Sequence, residues 1–297
     1  MMNIAVDASK VPAPTLVRSP GYWQTVGRRF LRDRVAVGAA LVVLFLLLLA
    51  IFGPWLAPAD PYASSMLKRL KPIGFEGHPL GTDELGRDML SRLMVGARLS
   101  LFMGITPVVL AFVIGSLIGI TAGYAGGPLN TVMMRTIDVF YAFPSVLLAI
   151  ALSGALGAGI TNSLISLTIV FIPPIARVAE SVTTQIRSRD FVDAARASGA
   201  NAFTIVRVHV LGNVLGPIFV YATSLIAVAM ILASGLSFLG LGVKPPEPEW
   251  GLMLNTLRTA IYVQPWIAAL PGVMIFITSI AFNLLADGLR SAMEIKQ

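Results

Sequence analysis

The chain has 297 residues, of which 56% are hydrophobic and only 12% charged, and its mean hydropathy is +0.81. A soluble domain carries about 25% charged residues, so this composition points to an all-α protein that crosses a membrane several times. With no cysteine in the chain, disulfides, thiolate metal sites and a cysteine nucleophile are all excluded. The net charge of +7 does not call for nucleic acid, because Lys and Arg collect in the cytoplasmic loops of membrane proteins.

Residues 1–20, including "SKVPAPTLVRSP", carry no packing signal and read as a flexible tail. The division that follows is a cytoplasmic tail over 1–34 and a membrane domain over 35–297. Crossing about 30 Å of hydrocarbon takes roughly 20 apolar residues, and six segments qualify: 36–56, 101–124, 137–155, 163–178, 217–240 and 267–289. The first is span-length and follows a long polar lead, so it predicts a retained helix instead of a cleaved signal peptide. The fourth is short and is interrupted by Pro173 and Pro174, which predicts a kink among neighbouring helices.

Arg18, Arg28, Arg29, Arg32 and Arg34 crowd the near side of the first span, whereas "GPWLAPADPYASSM" on its far side has no Lys or Arg. The positive-inside rule then places the N-terminus in the cytoplasm, and six spans return the C-terminus there. In the first outer loop, "HPLGTDELGRDMLSRLMVGARLSL" offers Thr82 as a helix cap, Asp83 and Glu84 for the positive helix end, and Leu85, Met89, Leu90, Leu93 and Met94 at helical spacing. An amphipathic helix lying on the outer surface is the expectation. In the last outer loop, "SFLGLGVKPPEPEWGLML" is stiffened by Pro245, Pro246 and Pro248, and Trp250 suits a membrane interface.

Gly115, Gly119 and Gly123 recur every four residues in the second span, so they predict a groove where another helix approaches closely. Ionisable groups are nearly absent from the spans. Asp138 and Asp287 lie near span ends and Arg135 just outside, which suits structural or interfacial roles better than ion coupling. His78 and His209 fall in loops, and no span offers a base beside a nucleophilic serine. "SGLSFLG" lacks the spacing of a nucleophile elbow. The chain also has no G-x-x-x-x-G-K-[ST] loop, so ATP is not expected on it. Tyr141, Ser145, Tyr221, Thr223, Ser224 and Asn283 are the polar or aromatic groups within spans, and interhelical hydrogen bonding accounts for most of them.

The loop at 187–213 contains "DAARASGANAFTIVRVHVLGN". Asp190 can cap a helix with Asp193 in its first turn, Gly199 can end it in a left-handed conformation, and Asn201 can cap a second helix. On that second helix Phe203, Val206 and Val210 share one face, with Arg207 and His209 pointing elsewhere. The series Asp193, Ala194, Ala195 and, after three residues, Gly199 resembles the E-A-A loop of permease subunits in bacterial ABC importers. Asp193 replaces the usual Glu, and Gly212 stands where a proline is common.

With "HPLGTDELGRDMLSRLMVGARLSL", "FPSVLLAIAL", "SFLGLGVKPPEPEWGLML" and "AFNLLADGLR" in the same order, nearly the whole chain after residue 20 resembles the C-type permease of dipeptide, oligopeptide and nickel importers. That resemblance implies a type I ABC importer permease fold in the bacterial inner membrane. It also implies four partner subunits: a second, B-type permease, two ATPase subunits, and an extracytoplasmic binding protein that delivers the solute. ATP and Mg would be used by the ATPases, and no cofactor or metal would sit on this non-catalytic chain. Asp193, Ala194, Ala195 and Gly199 would shape the docking helix, with Arg196, Ala197, Ser198, Ala200 and Asn201 touching the ATPase and Phe203 and Arg207 completing the loop. Peptides lead as cargo, with nickel, opines or another small solute behind; an ion-driven secondary transporter lacks matching features.

Overall fold

The computed structural model describes residues 21–294. The tail reading for residues 1–20, and Arg18 with it, lies outside the described residues. Among the described residues eleven α-helices follow in order: α1 Tyr22–Arg32, α2 Arg34–Leu56, α3 Met89–Ala125, α4 Gly127–Tyr141, α5 Ser145–Leu156, α6 Ile160–Arg187, α7 Asp190–Ala197, α8 Ala202–Ile205, α9 Leu211–Phe238, α10 Trp250–Thr256 and α11 Pro265–Met293. Among the described residues no strand forms beyond the isolated bridges Phe75–His78 and Thr82–Asp88.

Five stretches are long and apolar enough to cross a membrane: α2, α3, α6, the combined stretch Ala202–Phe238, and α11. The third expected span, 137–155, is not one continuous helix: α4 and α5 form a pair bent by 85°, apolar enough together to count toward a sixth span. Pro144 explains the break, since it lacks an N–H and disfavours helical backbone at Phe143 before it. The fourth expected span is longer than its apolar stretch: α6 runs for 28 residues, with Pro173 and Pro174 inside the helix.

The packing follows the residue pattern. Ala36, Ala39, Val43 and Leu46 form the buried stripe of α2, while Leu41, Phe45, Leu48, Phe52 and Trp55 face outward, as a span in hydrocarbon requires. α2 is fixed to α1 through Asp33, whose carboxylate accepts the N–H groups of Val35 and Ala36. α3 sits at the centre, against α2 on one side and α6 and α9 on the others.

The amphipathic helix expected from Thr82 does not form. Thr82 instead accepts the Lys71 N–H and donates to the Lys68 carbonyl inside an irregular loop. The helix begins at Met89, capped by Asp88, which accepts from Ser91 N at 2.8 Å, and it runs on into the span. Tertiary demand overrides the local cap signal here, because Asp83 is committed to a buried ionic cluster. Its carboxylate meets Arg87 Nε at 2.6 Å and Arg92 Nε at 3.2 Å, and Asp88 holds His78 Nδ1 at 3.0 Å.

At the same end of the bundle Trp250 is fully buried, contrary to its interfacial reading. Its indole N–H donates to the Leu93 carbonyl at 3.0 Å and its backbone N–H to Ser100 Oγ at 3.0 Å. Pro248 lies against Gly96 at a separation that leaves no room for a Cβ.

Candidate functional site

The other end of the bundle carries α7. Arg189, and not Asp190, is the cap residue, and Asp190 is the first helical residue. Asp190 and Asp193 lie in the first turn and Arg196 in the last, a distribution that complements the helix dipole. Arg196 also pairs with Asp193 at 2.9 Å.

The helix ends in a Schellman turn. Ala200 N–H donates to Ala195 O at 3.1 Å and Gly199 N–H to Arg196 O at 3.0 Å, with Gly199 at φ +82°. A residue with a Cβ is strained at that φ. Asn201 then caps α8 by accepting the Thr204 N–H at 2.8 Å.

This segment is held at few points and open elsewhere. Val192 is fully buried, and Ala195 and Ala200 pack on the same core. Asp193, Ala194, Arg196, Ala197, Ser198, Gly199, Asn201, Phe203 and Arg207 are exposed. The expected apolar face of Phe203, Val206 and Val210 is corrected, because Phe203 is 74% exposed while Ile205 and Val210 are buried. A π-turn over Val206–Val210 is the reason. It spaces the buried residues five apart before Val214 and Ile218 resume the interval of four, and so turns Phe203 outward. Gly212 follows in the first turn of α9, where a Cβ would meet nothing within 4 Å.

Part of what seats α7 lies outside the loop, on α3. Arg187, at the end of α6, donates to the carbonyls of Tyr124 at 3.1 Å and Gly123 at 3.4 Å. The Arg196 guanidinium lies 5.9 Å from the Tyr124 ring centroid. Gly115, Gly119 and Gly123 face α6 in a row, where a Cβ would meet Ile172 O at 3.0 Å, Ala176 O, and Glu180 O at 2.7 Å. α6, the helix that carries α7, is therefore in backbone contact with α3 over two turns. Nearby, Asp138 of α4 pairs with Arg177 of α6, and Asn130 Nδ2 donates to Glu180 Oε1 at 2.7 Å. These polar contacts between α4 and α6 had no signal in the sequence beyond the residue types.

No group of three or more His, Cys, Asp or Glu able to hold a metal occurs among the described residues. The site offers a presented helix, a left-handed stop and a rigid helix behind it. Such an arrangement can pass a displacement of the short helix to the long helix behind it.

The described residues thus form an all-helical bundle with a short helix exposed between two long apolar helices. The chain matches the family model described as binding-protein-dependent transport system inner membrane component over residues 115–295. It also matches the model for the N-terminal TM domain of oligopeptide transport permease C over residues 21–72.

It is 41% identical over 280 residues to the glutathione transport system permease protein GsiD of Pectobacterium atrosepticum, covering 94% of this chain and 92% of that one. Identity to the GsiD protein of Escherichia coli is 42% over 292 residues, covering 98% and 96%. Among solved structures, the inward-facing MetNI methionine ABC transporter matches with a TM-score of 0.57 at 20% identity, over 69% of this chain and 97% of that one. The chain belongs to the inner-membrane components of binding-protein-dependent transport systems, as a C-type permease subunit of the oligopeptide family of ABC importers.

Proposed function

We propose that this permease imports peptides, paired with a B-type permease and driven by two ATPase subunits that dock on α7 and the turn after it. In this reading α7 and the N-terminus face the cytoplasm, and the end bearing α10 faces an extracytoplasmic binding protein that delivers the peptide. ATP and Mg belong to the ATPases; this chain binds no cofactor and catalyses no covalent step.

The observation that carries the docking assignment is the exposure of α7 around two small anchors, with Val192 buried beneath and Gly199 ending the helix. Ala194, Ala197 and Ser198 present small side chains to a partner, and Asp193 and Arg196 flank them with opposite charges. Because Arg187 and the glycine row fix α6 to α3, a push on α7 reaches the spans without being absorbed by a flexible joint. Peptide cargo is supported by the glutathione named for relatives that align over nearly the whole chain.

The purified complex, with its binding protein, tests both parts. ATP hydrolysis should rise with glutathione or a dipeptide and not with Ni²⁺; the reverse pattern would overturn the peptide assignment. Ala194→Glu and Gly199→Asp should each abolish uptake and loosen ATPase copurification. Normal uptake and copurification in both variants would remove α7 from the docking role.

A further inference from the structure

α1 is fastened along one side and bare along the rest. Val26 is buried and Phe30 half-buried, and a Cβ placed on Gly288 of α11 would lie 3.5 Å from the Phe30 ring. Arg29 Nη1 donates to the carbonyl of Glu294 at 3.2 Å, just beyond the end of α11. α1 therefore lies across the last turns of α11, with the extended backbone of Asp33 separating it from α2.

Two further sectors of α1 face away from the protein. Trp23 and Leu31 are 70% and 72% exposed. With Gly27 between them they recur every four residues, so they share a face and lie about 12 Å apart along the helix. Gln24, Arg28 and Arg32 form the adjoining row at the same interval, and all three are exposed. Arg34, the first residue of α2, is exposed as well. Arg28, Arg32 and Arg34 have no ion pair among the described residues.

The level of α1 in a bilayer follows from α2. A helix of 23 residues rises about 34 Å, close to the roughly 30 Å of hydrocarbon, and the outward apolar surface of α2 begins at Val35. Arg28, Arg32 and Arg34 thus stand where hydrocarbon gives way to phosphate, a level that also suits the ring of Trp23. Residues 1–20 set Asp7 against Lys10 and Arg18, so they bring no acidic surface to these arginines.

We infer that α1 lies in the membrane interface and binds anionic phospholipid headgroups, with Arg28, Arg32 and Arg34 on the phosphates and Trp23 and Leu31 in the acyl boundary. A basic row beside an apolar row is what such a surface selects, because attraction to the headgroups adds to the burial of apolar area. Guanidinium suits a phosphate through two parallel N–H donors, which an ammonium lacks. Through Arg29 and Phe30 the lipid-bound helix braces the end of α11, whose Met293 reaches Gly216 of α9. The assignment holds whatever solute is carried.

Amide exchange of residues 22–32 tests it in the assembled complex, with its second permease and ATPases present. The nanodiscs are phosphatidylcholine alone, or phosphatidylcholine mixed with phosphatidylglycerol. Residues 22–32 should exchange several-fold more slowly in the anionic discs, while residues 250–257 exchange alike in both. Arg28→Gln with Arg32→Gln should abolish the difference, and Arg28→Lys with Arg32→Lys, which keeps the charge, should retain most of it. Arg69→Gln with Arg98→Gln, an equal change of charge at exposed arginines elsewhere, should leave it intact.

Equal exchange in the two lipids would overturn the assignment, whether α1 is open in both or sealed in both by an ATPase or the second permease. Loss of the difference in the Arg69 and Arg98 variant would also overturn it, since any arginine would then serve. So would slowing in neutral discs on addition of inorganic phosphate alone, which would mark a site for a free anion.

Discussion

At the scale of single residues, the loop between α2 and α3 owes its shape to charges withdrawn from water. Asp83 accepts from the backbone N–H groups of Leu85 and Arg87, each at 2.9 Å, in addition to its contacts with Arg87 Nε and Arg92 Nε. Removing it would leave two buried guanidinium groups without their main counter-ion. Asp83→Ala should therefore destabilise by about 3–5 kcal/mol, read as a large drop in the thermal unfolding midpoint in detergent; a drop within noise would show that water satisfies both arginines. Glu84 beside it is pushed above the usual carboxylate range, first by burial and then by the Asp83 charge.

Glu249 shows the opposing tendencies most clearly. It caps α10 by accepting the N–H groups of Gly251 and Leu252, each at 2.8 Å. Burial nevertheless pushes its carboxyl above the usual range, and these hydrogen bonds only partly offset that. Because the folded-state value is raised, its favourable contribution is present below the unfolded value and lost as pH rises through the folded one. Wild type should thus lose stability relative to Glu249→Gln as pH climbs above the ordinary carboxylate range. A difference in unfolding midpoint that stays constant with pH would contradict this.

At the scale of elements, the π-turn over Val206–Val210 sets the angle at which α8 and the loop before it leave α9. One extra residue in the turn advances the chain by about 100° relative to an α-helix. Deleting the exposed Val208 should restore an α register and rotate the docking segment while leaving α9 buried as before. The expected outcome is a membrane-inserted, folded permease that no longer retains its ATPase subunits on copurification. Retention with normal uptake would mean that the turn does not set the docking angle.

At the scale of the whole molecule, two sets of close contacts hold the bundle at opposite ends. The glycine row of α3 against α6 governs the α7 end, and Trp250 governs the other, where α10 wedges between α3 and α9. Gly251 there allows α10 to touch Ser234 of α9, with the Cβ position only 2.5 Å from its carbonyl. Trp250→Ala should cost about 3–5 kcal/mol and should loosen the α10 end selectively. Faster amide exchange at residues 89–100 and 250–257 than at residues 187–213 is the measurement that checks it; uniform loosening would argue against two separate fastenings.

The sequence by itself determined what depends on short-range chemistry. Apolar length marked the spans, the period of four placed Gly115, Gly119 and Gly123 on one face, and Gly199 and Asn201 punctuated the loop after α7, because caps and left-handed stops are formed by neighbours in the chain. The tertiary structure alone decided where local signals were outvoted. Thr82 gave up its cap because Asp83 was required by Arg87 and Arg92, and Trp250 left the interface because Leu93 and Ser100 offered its N–H groups partners in the core. Phe203 turned outward on a π-turn, which the spacing of the loop residues did not mark. Trp250 depends on partners some 150 residues away, whereas Asp83 is held by Arg87 and Arg92 only four and nine residues on, and it is their shared burial that local spacing does not encode.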